Sequence, residues 1–316
     1  MSSYTRKYPE NHPLVSLLQL LALTALSLIV FSVIGLAIIF FLYGLDAMKL
    51  NMVQPTERDV EVFRILQITQ SIGLFVLPPL LLRYLERKST FYFDLHAPRY
   101  ASLWLYASAM MLIAIPTWDL LGRWNAGIAL PESLKSVEVW MQEKEEQAKI
   151  LTEAFLQTKT WSGLIGNIFM IAVLAAVGEE FFFRGILQNA LVRWFKNPHV
   201  AIWVTAIIFS AIHLQFYGFL PRMFLGALLG YLYWWSNCIW LPILAHFVNN
   251  GYAVIASFVL IKQGKNLDAV DYGEQTPYYI YIFSVLALGY FLYRFYQYAL
   301  LERQLEQDNT DGKRLD

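Results

Sequence analysis

Charge is scarce in this chain of 316 residues: only 15% are Asp, Glu, Lys or Arg, against about 25% in an average soluble domain. The 24 basic and 24 acidic residues cancel, which argues against a nucleic-acid partner, because such proteins carry a basic excess. Cysteine occurs once, as Cys238, so an internal disulfide is excluded and the redox compartment stays open. There is no internal repeat, no low-complexity tract and no H-E-x-x-H of a zincin. No cleavable signal peptide is expected either, since the first apolar run is far longer than an h-region.

Long apolar runs are what the chain has instead. Hydrophobic residues make up 57% of it and aromatics 16%, suited to packed membrane helices and interfacial belts. The pattern predicts an all-α, polytopic integral membrane protein of about eight spans enclosing a polar cavity within the membrane. The spans are placed at 14–43, 65–83, 102–121, 162–192, 200–217, 219–236, 239–262 and 277–300. The first is too long for a perpendicular crossing and should tilt or project. The order divides into N-terminal helices with an amphipathic loop (1–160), a core (161–262), and a last helix with a charged tail (263–316). In the loop, the segment from Glu138 to Leu151 suits an amphipathic surface helix with i, i+4 charge pairs. Arg83, Arg87, Lys88 and Arg99, with Arg193 and Lys196 two spans on, mark one side as cytoplasmic, which places both termini inside. A multi-pass location follows, in the cell membrane if the source is prokaryotic.

Against that background, Glu179, Glu180 and Arg184 stand inside an apolar run. Each charge at mid-membrane costs roughly 2.5–3.5 kcal/mol, so such residues are by default functional. His213 lies in a second apolar segment, and His246 with Asn250 in a third. Counted from the proposed cytoplasmic edge, all three sets lie at overlapping depths of roughly 12–24 Å at about 1.5 Å per residue. Helical spacing then sorts them. Glu180 and Arg184 are i, i+4 and form a natural ion pair, leaving Glu179, rotated by about 100°, as the free carboxylate. His246 and Asn250 share a face, and so do Phe209 and His213. Water held between Glu179 and His213 could attack a peptide carbonyl, with His246 and Asn250 bonding the oxyanion. Glu179, His213 and His246 could instead ligate Zn²⁺. Ser210 and Cys238 are poorly placed as nucleophiles. His96 and His199 read as loop residues, Asn237 and Asn249 as packing polars with Asn249 near the site edge, and Trp234, Trp235 and Trp240 as an interfacial belt.

Glu179-Glu180-x-x-x-Arg184, Phe209-x-x-x-His213 and His246-x-x-x-Asn250 resemble, in order and spacing, the three motifs of the CAAX protease and bacteriocin-processing (CPBP, or Abi) superfamily. The resemblance covers about 160–255. It implies an intramembrane endopeptidase acting on a membrane-associated or prenylated CAAX-type peptide, with Glu179 as base, His213 assisting, and His246 and Asn250 stabilising the oxyanion. Glu180 and Arg184, with Phe209, would shape the site. Members are described both as metalloproteases and as metal-free glutamate proteases. The metal-free version is preferred here because Arg184 competes for one carboxylate and sets positive charge beside any cation. A membrane regulator, immunity or partner-binding protein of the same family is the alternative function. A transporter is a third class, and the missing repeat argues against it.

Overall fold

The structure is a computed structural model that describes residues 11–51, 54–86, 95, 97–265 and 276–312. Arg87, Lys88 and His96 lie outside the described residues, within which the chain is helical and forms no strand. Among the described residues five helices are long and apolar enough to cross a membrane, or six if one bent pair is a single span. They are α1 (Pro13–Tyr43), α2 (Glu57–Leu85), α6 (Trp161–Phe195), α9 (Trp240–Lys262) and α10 (Tyr278–Gly312), with α3 (Ala101–Ile113) and α4 (Ile115–Ala126) as the pair bent by 44°. Pro116 explains the bend, since it has no amide hydrogen to continue the ladder. α5 (Lys135–Leu156) is the expected amphipathic helix.

The sequence expectation of eight spans differs at α7 (Pro198–Ala211) and α8 (Phe219–Ser236). α7 has 14 residues, about 21 Å at about 1.5 Å each, short of a hydrocarbon core of about 30 Å. The helix stops because Leu214 takes a left-handed φ of 54° and the following turn is held from outside. Asn125 of α4 donates to the Phe216 carbonyl at 2.8 Å and accepts from the Leu220 amide at 2.7 Å. The boundary expected at 217 therefore falls at 211. Two other residues change role. His199 lies in the first turn of α7, 3.0 Å from the Tyr231 hydroxyl, and is no loop residue. Asn237 caps α8 in the left-handed conformation at φ 53°, a position Asn tolerates better than most residues.

α1 carries no charge over 31 residues and buries only Ser16, Leu20, Ser27, Gly35 and Ile39. That single stripe packs on α2, while the remaining apolar face is exposed, as lipid contact requires. α3 is the opposite case. Leu103, Ala107, Met110 and Met111 are fully buried among Leu229 and Leu232 of α8, Leu241 and Ala245 of α9, and Phe295 and Ala299 of α10. Its N-terminus has no side-chain cap of its own. The buried carboxylate of Glu302 on α10 supplies one, accepting from the Arg99 and Tyr100 amides at 2.9 and 3.2 Å.

Two helices widen locally into π-helix. In α2 the stretch Ile72–Val76 immediately precedes Pro78 and Pro79, whose missing amides free carbonyls one turn earlier. α6 widens twice, at Ile168–Leu174 and Phe181–Gln188, on either side of the short α-helical stretch ending in Glu179 and Glu180. Such turns recur at functional sites because the extra residue per turn reorients the side chains beyond it.

Candidate active site

Glu180 and Arg184 form the ion pair expected from their spacing. Both are fully buried, with Arg184 Nη1 2.8 Å from Glu180 Oε1. The second arm of the guanidinium, Nη2, donates to the Gly226 carbonyl on α8 at 2.8 Å. One turn on, Gln188 Nε2 repeats the contact with the Gly230 carbonyl at 3.1 Å. These rungs need the two helices very close. A Cβ at Gly226 would sit 3.1 Å from Phe209 Cδ1, and one at Gly230 2.9 Å from Ile202 Cγ2. Gly226-x-x-x-Gly230 is thus a small-xxx-small face that lets α8 reach both α7 and α6.

Phe209 links the three motifs. Its ring lies 5.0 Å from the Arg184 guanidinium carbon, 5.1 Å from the His213 ring and 6.1 Å from the His246 ring, and Phe183 meets it edge-on at 5.1 Å. The predicted Phe209–His213 face is therefore present, although His213 itself lies just beyond the end of α7.

Both histidines are orientated through Nδ1. His213 Nδ1 is 2.7 Å from the Phe209 carbonyl, and His246 Nδ1 is 2.8 Å from Glu180 Oε1. A carbonyl can only accept, as can the carboxylate oxygen that already takes a hydrogen bond from Arg184, so each Nδ1 carries the hydrogen. In the neutral rings each Nε2 is then left with its lone pair. His246 Nε2 lies 3.9 Å from Glu179 Oε2, beyond hydrogen-bond range. Glu179 Oε2 is buried and has no hydrogen-bond partner among the described residues. Asn250 donates to the Ile171 carbonyl in the first wide stretch of α6 at 3.0 Å and accepts from Asn249 at 3.1 Å; its second amide hydrogen stays available.

Glu179, His213, His246 and Asn250 line a single cavity of about 300 Å³, together with Phe209, Asn249 and Arg222. All four residues singled out as catalytic in the sequence thus meet. Ser210 does not join them, for its hydroxyl donates to the Phe219 carbonyl at 2.7 Å. Among the described residues no three His, Cys, Asp or Glu side chains converge to hold a metal ion. The Glu179, His213 and His246 set does not fit a metal as arranged, and no step below runs through one.

Residues 161–252, which contain this cavity's acidic and histidine groups, match the family described as "Rce1-like: Type II CAAX prenyl endopeptidase Rce1-like". Over this stretch the chain is similar to the type II CAAX prenyl endopeptidases. Two curated bacterial proteins are also similar to it. A Bacillus subtilis (strain 168) protein named "Uncharacterized protein YpbD" is 28% identical over 116 residues, 35% of this chain and 57% of its own. The "Membrane-embedded CAAX protease MroQ" of Staphylococcus aureus (strain USA300) is 28% identical over 120 residues, 36% of this chain and 46% of its own. The chain thus spans about half the length of the curated relatives it matches. No solved structure matches it.

Arg222 and Trp118 also line this cavity, and sequence reasoning does not single them out. The signal available for Arg222 is the one that marks Arg184, a charge in an apolar helix. It is masked because the expected boundary between the fifth and sixth spans, at Gly218 and Pro221, falls beside it. Trp118 gives no signal distinct from nine other tryptophans.

Proposed function

We propose that this CAAX-protease-family membrane protein is an intramembrane endopeptidase that cuts membrane-associated peptides, CAAX-type prenylated ones among them, with water activated by Glu179 and His213. The observation that carries the reading is the division of the two adjacent carboxylates. Glu180 is held by Arg184 and His246 at 2.8 Å each, whereas Glu179 presents an unpartnered oxygen to the cavity.

Water positioned between Glu179 and His213 Nε2 loses a proton to the Glu179 carboxylate as its oxygen bonds to the peptide carbonyl carbon. The carbonyl π electrons move to oxygen, and the free Asn250 hydrogen bonds the oxyanion. His246 Nε2 lies 3.9 Å from Glu179 Oε2, close enough to take up that proton with little movement and become a second donor, while Glu180 accepts from the other nitrogen. Collapse reforms the carbonyl, breaks the C–N bond, and sends a proton to the departing amine. The two glutamates keep separate roles throughout, since Glu179 moves protons while Glu180 fixes the ring and the guanidinium.

The reading is tested by proteomics of membranes from cells with the native protein and with Glu179→Ala. Fragments with new N- or C-termini that vanish in the variant establish proteolysis. Identical fragment sets, with the variant present at native abundance, would remove it. Both named relatives are bacterial, and the cell membrane is the proposed location.

A further inference from the structure

The cavity wall carries a cation that the mechanism does not use. Arg222 lies in the second turn of α8 and lines the cavity with Glu179. Its hydrogen bonds go to neutral oxygens of a single residue: Nη1 to the Gln215 carbonyl at 3.2 Å and Nη2 to Gln215 Oε1 at 2.8 Å. The guanidinium has more donors than these bonds consume. The turn bearing Gln215 is itself held, by Asn125 at Phe216 and Leu220 and by Glu145 of α5, which accepts from the Tyr217 amide at 3.2 Å. Arg222 is therefore held in place by Gln215 before any ligand arrives. The nearest acidic influences on it are Glu145 and Glu179, neither of which forms a hydrogen bond with it.

We propose that Arg222 is a specificity residue that binds a carboxylate of the peptide substrate, either the free C-terminus or an acidic side chain. This rests on the peptidase reading and adds to it the feature that sets which bond enters the site. A planar guanidinium matches a carboxylate with two parallel hydrogen bonds, a geometry that a lysine ammonium cannot reproduce. An anion held there fixes the scissile bond at a set distance from the negative group. Glu145, anchored on the adjoining turn, acts as a weak resting counter-charge that a bound carboxylate supersedes.

Binding is tested apart from cleavage. The full chain carrying Glu179→Gln is placed in nanodiscs and given a random octapeptide library in which free-acid and amidated C-termini are equally represented. A second library varies Asp and Glu against Asn and Gln. Retained peptides are counted by mass spectrometry. One of the two carboxylate classes should be enriched about tenfold over its amide partner, as expected for a charge-assisted pair, and which class it is identifies the source. The enrichment should vanish with Arg222→Gln, return in part with Arg222→Lys, and grow with Glu145→Gln, which removes the competing charge. Equal retention of acid and amide by the Arg222 protein overturns the proposal. So does enrichment that persists in Arg222→Gln. If Arg222→Gln does not fold, unchanged enrichment in Glu145→Gln decides against it. Selective retention with no cleavage by the native chain would instead sink the peptidase reading and leave the carboxylate site standing.

Discussion

Arg184→Met is the perturbation whose size follows most directly from the geometry. Arg184 and Glu180 are both fully buried, and their 2.8 Å contact is supported on one side by the Gly226 carbonyl and on the other by His246. Methionine fills much of the volume without the charge, so the cavity penalty is small and the electrostatic loss dominates. Glu180 would keep only His246, and one wall of the buried carboxylate would face hydrocarbon. Breaking one side of a buried pair typically costs about 3–5 kcal/mol, which lowers the folding constant by a factor on the order of 10²–10³ or more. SDS titration of purified protein in mixed micelles, followed by tryptophan emission, should show that loss. Glu179→Gln serves as the control: its carboxylate has no partner nearer than His246 at 3.9 Å, so a change within about 1 kcal/mol is expected. The double variant Arg184→Met with Glu180→Gln should recover part of the stability, because a buried pair replaced as a unit is often nearly neutral. If Arg184→Met unfolds at the same SDS fraction as Glu179→Gln, the ion pair has been misread as a structural element.

Further outcomes are expected at neighbouring positions. Asn250→Ala should cut the cleavage rate of a fluorogenic peptide by about 10²–10³, the usual loss for one oxyanion donor, with its melting curve showing whether the Ile171 tie also matters. Gly230→Ala should destabilise by about 1–3 kcal/mol through overpacking, since its Cβ would meet Gln188 Oε1 at 2.8 Å and Ile202 Cγ2 at 2.9 Å; an unchanged melting temperature would show that the helices part freely there. Asn125→Ala removes two of the bonds that hold the turn between α7 and α8, and hydrogen exchange at 214–220 should speed up while that of α9 stays the same.

Much of the site is legible in the sequence because hydrocarbon makes polar residues conspicuous. Glu179, Glu180, Arg184, His246 and Asn250 each stand out as a cost that only function or pairing offsets, and 3.6-residue spacing correctly assigns Glu180 to Arg184. The same reasoning cannot foresee that His246 turns its Nδ1 to Glu180, because that contact joins residues 66 apart in sequence. Nor can it reach the two π stretches of α6, which arise from how neighbours hold the helix and leave no compositional trace. The end of α7 escapes it for a related reason. Ile212, Leu214 and Phe216 are apolar enough to continue a span, and it is the left-handed Leu214 and the bonds from Asn125 and Glu145 to the following turn that end it. The Gly226-x-x-x-Gly230 face is readable in principle, but its significance depends on Arg184 and Gln188 meeting its carbonyls.

Those two carbonyl contacts also constrain how the protein can move. Arg184 and Gln188 are four residues apart on α6, and Gly226 and Gly230 are four apart on α8, so the helices mesh like a rack with matching teeth. A slide of a fraction of a turn would strand a buried guanidinium and an amide at once, while a slide of a whole turn would re-engage one tooth. Axial creep between these helices is therefore stepped, one helical turn at a time. Any breathing of the cavity must come from hinging of other walls, for this one travels in full turns or stays put.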